Sequence, residues 1–359
     1  MSMYSYRMSP GFGPLPASHR LRLDNTHPAL RSAWHPVCRS EEVPEDGVIS
    51  VQLLGEPWAV ARIGGTLTAF VDRCPHRYSP LSAGTVVDGS LRCAYHGYRF
   101  NACGTCVEIP AIGPDATIPQ RASAAAASGV TERFGLVWIA PEPALTDLIE
   151  VPEWDDPAFT VVALPTLEWN AGAAQMTDNF LDLAHFPYLH SSTFGDPNTT
   201  TVADYEIERR GLGFTTEYRN TTRAIGDPGS IDAPIVDARF DTFVYSAPFT
   251  IRLRIEYPAE NVVLTILFFH QPVDAVTTRL YCFDLRNDIN DGRTTVEDAR
   301  AFQLAVAAED RHMVERLADK SIPLDTTREV HTRADRITLE MRRIMADFVD
   351  LSERDREAP

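Results

Sequence analysis

Two short segments carry metal-binding side chains in a mixed pattern: Cys74-Pro75-His76 and Cys93-Ala94-Tyr95-His96. Together they supply two thiolates and two imidazoles. Such a set suits a [2Fe-2S] centre in which two Cys hold one iron and two His the other, a ligation that raises the reduction potential above that of an all-Cys cluster. Zinc also accepts two Cys and two His. Zinc spacing, however, pairs like with like, C-x-x-C with H-x-x-x-H, and here each segment mixes the two types. Iron–sulfur chemistry is the better reading. Gly84 and Gly89 allow the ligand loops to turn, Gly97 follows the second His, and Arg77 and Tyr98 flank the ligands.

A second segment, NFLDLAHFPYLH from Asn179 to His190, holds His185 and His190. Two His and one carboxylate on one face of Fe(II) leave open positions for oxygen and substrate. On an ideal helix, residues five apart diverge by about 140°. The two rings converge only if the helix changes course, and Pro187, which cannot donate to the carbonyl of Leu183, is the expected cause. The third ligand must come from elsewhere. In the helix expected around residue 310, Val306, Asp310, Met313, Val314 and Leu317 form an apolar stripe. A carboxylate there is costly unless paired or metal-bound, which marks Asp310. Glu309, about 100° round the helix, falls with His312 on the polar side, in line with Arg316, and reads as a surface ion pair.

The elements that must position these groups follow from periodicity. Strands over 48–54, 58–63 and 66–71, with a Gly64-Gly65 hairpin, precede the ligand loops, and 135–140 follows them. The acidic, proline-rich run 141–157 marks a boundary. A strand over 160–168 and a helix over 173–184 lead into alternating runs at 205–210, 213–219, 240–245, 250–257, 261–270 and 278–285. Helices over 295–319 and 326–350 close the pattern. Phe240, Phe243, Tyr245, Phe249 and one of Phe268 or Phe269 are expected to wall a pocket, with Asn261, His270 or Gln271 as its polar group; His270 otherwise reads as a sheet histidine. His19, His27 and His35 are expected to hold no metal. The chain has 44% hydrophobic and 23% charged residues, ordinary for a globular protein of 359 residues and two domains. A net charge of -17 argues against nucleic acid as a partner, since any anionic partner would need a local basic patch. No run is apolar enough for a membrane span or a signal peptide, so a cytoplasmic protein is expected. Cys38, Cys282 and the C-x-x-C pair Cys103 and Cys106 read as ordinary thiols. Arg73, Arg77, Arg92 and Arg99 near the cluster ligands could dock an acidic electron carrier or pair with the acidic surface.

The stretch 74–110 resembles the Rieske domain of bacterial ring-hydroxylating and demethylating oxygenases. It lacks the extra Cys that respiratory Rieske proteins carry in each ligand loop, and it departs mildly from the oxygenases with Ala94 for Pro and Tyr98 for Trp. NFLDLAHFPYLH resembles their mononuclear-iron motif. Trp34-His35-Pro36-Val37-Cys38 and Phe194-Gly195-Asp196-Pro197-Asn198 resemble the group that includes methylxanthine N-demethylases, with vanillate O-demethylase and dicamba monooxygenase further off. The resemblance implies Cys74, His76, Cys93 and His96 on the cluster, and His185 and His190 on the iron. It implies Asp182 as a bridging carboxylate and Asn179 as a polar residue near the iron. The family's EDxxxxE pattern, seen from Glu309 to Glu315, points to Asp310. The expected fold is α+β, an N-terminal all-β Rieske domain followed by a helix-grip catalytic domain with a curved antiparallel sheet and C-terminal helices. Boundaries are expected at 1–28 for a loose extension, 29–141 for the Rieske domain and 142–359 for the catalytic domain. The implied function is that of a terminal monooxygenase component, hydroxylating or demethylating a small aromatic or heteroaromatic substrate with O2. Electrons would come from NAD(P)H through a separate reductase, with or without a ferredoxin, because the chain has no G-x-G-x-x-G nucleotide motif. A head-to-tail homotrimer is implied, with Asp182 linking His185 of one subunit to His96 of the next. The alternatives are an aromatic-ring cis-dihydroxylase and a Rieske electron carrier without oxygenase activity.

Overall fold

The structure, a computed structural model, describes residues 22–223 and 235–357. Much of the expected extension, with His19, lies outside the described residues. Its described end, Arg22–Leu23, pairs with Ile322–Pro323. Three small antiparallel sheets follow. Val48–Leu53, Glu56–Ile63 and Thr66–Val71 form a meander. Its tight turn places Gly64 and Gly65 at φ of 57° and 77°, the left-handed pair that a two-residue hairpin requires. Thr85–Val87, Ser90–Arg92, Arg99–Phe100 and Cys106–Glu108 form the sheet beside the cluster loops. Gly129–Arg133, Leu136–Ala140 and His35–Arg39 form the third.

The second half is built on one eight-stranded antiparallel sheet. Its path runs Thr160–Ala163, Thr278–Arg286, Val262–Pro272, Thr250–Tyr257, Ile235–Ser246, Gly213–Arg223 and Ile207–Arg210, with Leu167–Trp169 also on Thr278–Arg286. The single strand expected over 160–168 is thus two, interrupted at Pro165, which has no N–H for the ladder. The expected curved sheet is also corrected. The sheet is neither curved nor closed, for its path is open and its end strands do not pair. Curvature needs bulges or glycine kinks, and from Phe240 to Arg286 the registers run unbroken with no glycine in the sequence.

Val262–Pro272 and Thr278–Arg286 are buried on both faces, which explains why TILFFHQP reads as a nearly continuous apolar run. Leu267 and Phe269, with Tyr281, Phe283 and Leu285, pack on Phe134, Leu136 and Trp138 of the first half. Leu264, Ile266 and Phe268 alternate to the other face. There lie the helices: α1 (Ala173–Leu181), α2 (Phe186–Leu189), α3 (Val296–Val314) and α4 (Arg336–Glu357). Thr295 caps α3 by accepting from the N–H of Asp298 at 3.0 Å. Arg342 of α4 holds Asp178 of α1 at 2.8 Å. Near the chain's ends, the hydroxyls of Ser32 and Ser352 meet at 3.0 Å and Arg356 pairs with Glu142 at 2.8 Å. Among the described residues no helix is long and apolar enough to cross a membrane.

Candidate metal centres

The two cluster loops share one backbone frame. Cys74 N–H donates to Ser79 and Tyr78 N–H to Cys74; Cys93 N–H donates to Tyr98 and Gly97 N–H to Cys93. The equivalent positions Tyr78 and Gly97 are both left-handed, at φ of 59° and 71°. Glycine adopts that conformation freely, whereas tyrosine seldom does. A side chain on Gly84 would strike the carbonyl of Arg92. Cys74 and Cys93 are buried, while His76 and His96 are exposed with ring centroids 4.4 Å apart. Tyr98 stacks on His76 at 4.8 Å. Burial pushes the Cys74 thiol up to about 11, so iron must displace its proton to bind. Buried sulfurs and exposed imidazoles suit a cluster that meets a partner through its His side. Of the four arginines, Arg99 is taken by Glu108 at 3.0 Å, leaving Arg73, Arg77 and Arg92 exposed. Of the C-x-x-C pair, Cys106 is buried and Cys103 exposed.

The second centre forms where α1 ends. The break falls at Asp182 rather than at Pro187. Asp182 leaves the helix at φ -76°, ψ 134°, and its carboxylate accepts from the N–H of Ala184 at 3.0 Å, a local turn that competes with helix. Pro187 instead opens α2, where its missing N–H costs nothing. The kink brings the Nε2 atoms of His185 and His190 to 3.1 Å. Asp310 Oδ1 from α3 lies 3.1 Å from His190 and 3.5 Å from His185. Ligands about 2.1 Å from an ion, on neighbouring octahedral positions, stand about 3 Å apart. The donor set therefore fits a facial-triad iron, and among the described residues it is the group of three whose ligand atoms converge within 4.8 Å.

Carboxylates and an amide surround the triad. His185 Nδ1 faces Asp182 at 3.0 Å, and Asn179 Nδ2 donates to Asp310 at 2.8 Å. Burial alone would lower the His185 pKa, but Asp182 and Asp310 raise it to about 9. Burial likewise opposes ionisation of Asp310, yet His185 and His190 hold its carboxyl down at about 2. His190 Nδ1 faces Glu309 at 2.8 Å, and Ser192 and Thr193 donate their hydroxyls to Glu309. The expected Glu309 surface ion pair is thus corrected. Arg316 turns back to the carbonyl of His312, and Met313 and Leu317 of the supposed apolar stripe are exposed. A helical wheel weighs Glu309 against its own helix and misses His190, the residue just past α2. The only signal was the hydroxyl pair Ser192-Thr193 just after His190.

The triad opens on a cavity of about 1200 Å³. Of the aromatic residues expected to wall it, Phe268 does so. Phe243, Tyr245, Phe249 and Phe269 are buried elsewhere and Phe240 is exposed. The floor comes from Val262, Leu264 and Ile266, and from Leu253, Ile255 and Tyr257 of the neighbouring strand. Neither Asn261, His270 nor Gln271 lines it. Gln271 donates to the Gln52 carbonyl, and buried His270 faces the Phe249 carbonyl, burial lowering its pKa to about 4. His35, also buried, faces the Leu30 carbonyl.

A cluster-loop β domain followed by a His–His–Asp iron centre over a sheet-walled cavity defines an enzyme, a Rieske-type non-haem iron oxygenase. The Rieske [2Fe-2S] domain model matches residues 33–123, and the vanillate O-demethylase oxygenase C-terminal domain model matches residues 169–351. The chain belongs to that family of Rieske oxygenases. It is 31% identical over 327 residues to methylxanthine N1-demethylase NdmA of Pseudomonas putida, covering 89% of each chain. It is 35% identical over 187 residues to the oxygenase component of dicamba O-demethylase from Stenotrophomonas maltophilia, covering 50% of this chain and 52% of the other. The solved structure of Pseudomonas putida CBB5 NdmA with caffeine superposes with a TM-score of 0.79 at 29% identity, covering 93% and 94%.

Proposed function

We propose that the chain is the terminal component of a multicomponent monooxygenase that oxidises a methyl or other C–H carbon of a small aromatic or heteroaromatic molecule. NAD(P)H would supply the electrons through a separate cytoplasmic reductase, with or without a ferredoxin. The observation that carries this reading is the opening of the His185–His190–Asp310 triad on a largely apolar cavity. The methylxanthine and dicamba demethylases among its relatives support it.

Bound there, iron would supply O2 activation, for which the facial triad leaves positions open. Cys74, His76, Cys93 and His96 would hold the cluster. His185 and His190 would present Nε2 to the ion, with Nδ1–H donating to Asp182 and Glu309, a pairing that would fix both tautomers and orient both rings. Phe180, Phe268 and Ile266 exclude water and press the substrate's apolar face toward the triad. Overall, RCH3, O2, NAD(P)H and a proton give RCH2OH, water and NAD(P)+. On an N- or O-methyl group the product collapses to formaldehyde and the N–H or O–H compound.

We further infer a head-to-tail trimer in which Asp182, held by His185, meets His96 of the next subunit. The exposed rings of His76 and His96, with Tyr95 beside them, support such a contact. We take the catalytic domain to start at residue 142. The deciding experiment is a product screen of N-methyl and O-methyl heteroaromatics with a surrogate reductase, assaying formaldehyde and hydroxylated products. Stoichiometric formaldehyde or a monohydroxylated product is expected; a cis-diol alone would overturn monooxygenation.

A further inference from the structure

The cavity is long. Along α3 its lining runs from Asp298 to Asp310, roughly 18 Å at 1.5 Å per residue. Along the sheet it runs from Val262 to Phe268, roughly 20 Å. Two elements on opposite walls give the same length. Asp310 marks the iron end, and Phe268 packs on Phe180 at 4.6 Å, beside Asn179. The other end is the turn joining Thr250–Tyr257 to Val262–Pro272, with Arg293, Thr294 and Asp298 across from it. A volume of about 1200 Å³ exceeds the range of about 300–1,000 Å³ usual for small-molecule sites. A single ring seated against the triad leaves most of this space unfilled.

The far end is charged, and its charges are unevenly matched. Arg286 is paired with Asp284 and Asp288, and Arg293 is paired with Asp291 and donates to the backbone carbonyl of Glu260. Glu260 also lines the cavity, and its Oε2 is buried with no hydrogen-bond partner. A buried carboxylate oxygen left unpaired is unfavourable, and a donor brought by a bound molecule would relieve that cost.

We propose that the substrate is elongated: a ring oxidised at the triad, an apolar body along the sheet, and at the far end a protonated amine that donates to Glu260. This rests on the oxygenase reading of the cavity and extends it from a ring to a ring with an arm. The test uses the iron-loaded holoenzyme and 4-methoxyphenyl alkyl amines of increasing chain length, the longest carrying nitrogen about 18 Å from the methoxyl carbon. Each amine is matched by the alkane lacking it. Kd is measured by calorimetry for wild type, Glu260→Gln and Glu260→Asp, with melting temperature confirming the fold of each variant. The amine should tighten binding at least tenfold over its matched alkane in the longest pair only. That advantage should vanish in Glu260→Gln and persist in part in Glu260→Asp. An amine effect that is equal at every length, absent at every length, or unchanged in Glu260→Gln would overturn the proposal. Formaldehyde is assayed in parallel: demethylation without a length-dependent amine effect sinks only this inference, and the effect without oxidised product sinks only the reading it rests on.

Discussion

Asp310 and Glu309 are consecutive, yet both reach the iron centre from α3, one toward the Nε2 atoms of the histidines and the other toward His190 Nδ1. Their removal should therefore differ in kind. Asp310→Ala should lose the mononuclear iron and all turnover while the cluster keeps its colour, because a ligand is gone and the cluster loops are untouched. Metal analysis beside the visible spectrum would show this. Glu309→Gln should retain a weaker site, with iron affinity lowered about 10- to 100-fold, the usual effect of losing a carboxylate behind a ligand histidine. Competition with a chelator measures it, and unchanged affinity would make Glu309 merely structural. At this scale the cluster segments and the His pair were legible, because metal chemistry restricts residue type and spacing. Glu309 was not, since its partner lies 119 residues away, and of the aromatic residues expected on the cavity wall Phe268 alone stands there, the others lying on strands that face elsewhere.

The sheet carries a buried charge that serves no reaction. Asp284 is buried with one oxygen unpartnered, and burial raises its pKa to about 6 against the pull of Arg286. A carboxyl whose folded pKa lies above its unfolded value contributes stability at low pH and loses it as pH rises through about 6. Asp284→Asn, permanently neutral, should then be more stable at pH 7.5 by about 1–3 kcal/mol, read as a higher melting temperature. The gain should fade below pH 5, where the wild-type carboxyl regains its proton. Arg286 keeps Asp288 at 2.8 Å in the variant. A gain independent of pH would refute the linkage. The strands themselves were readable from alternation and apolar runs, including the hairpin at Gly64-Gly65. The sheet's shape was not, because curvature resides in bulges and glycines between strands, and their absence from 240 to 286 goes unnoticed when only the strands are counted.

At the scale of the molecule, the purified protein should hold three irons and two acid-labile sulfides per chain, with two irons in the cluster. Iron and sulfide assays check this, and zinc without sulfide would contradict it. The proposed trimer gives a sharper expectation. Mixing Cys93→Ser subunits, deprived of the cluster, with Asp310→Ala subunits, deprived of the mononuclear iron, should restore a fraction of turnover that neither variant shows alone. No recovery after subunit exchange would place electron flow within one chain. One further consequence lies in how the two ends of the fold are clasped. Arg22–Leu23 finds its strand partner at Ile322–Pro323, and Ser32 finds Ser352. On the ribosome, then, Arg22 and Leu23 wait unpaired until Ile322 and Pro323 have been made, and a polypeptide cut short before Ile322 leaves that strand without its partner, however complete its cluster loops.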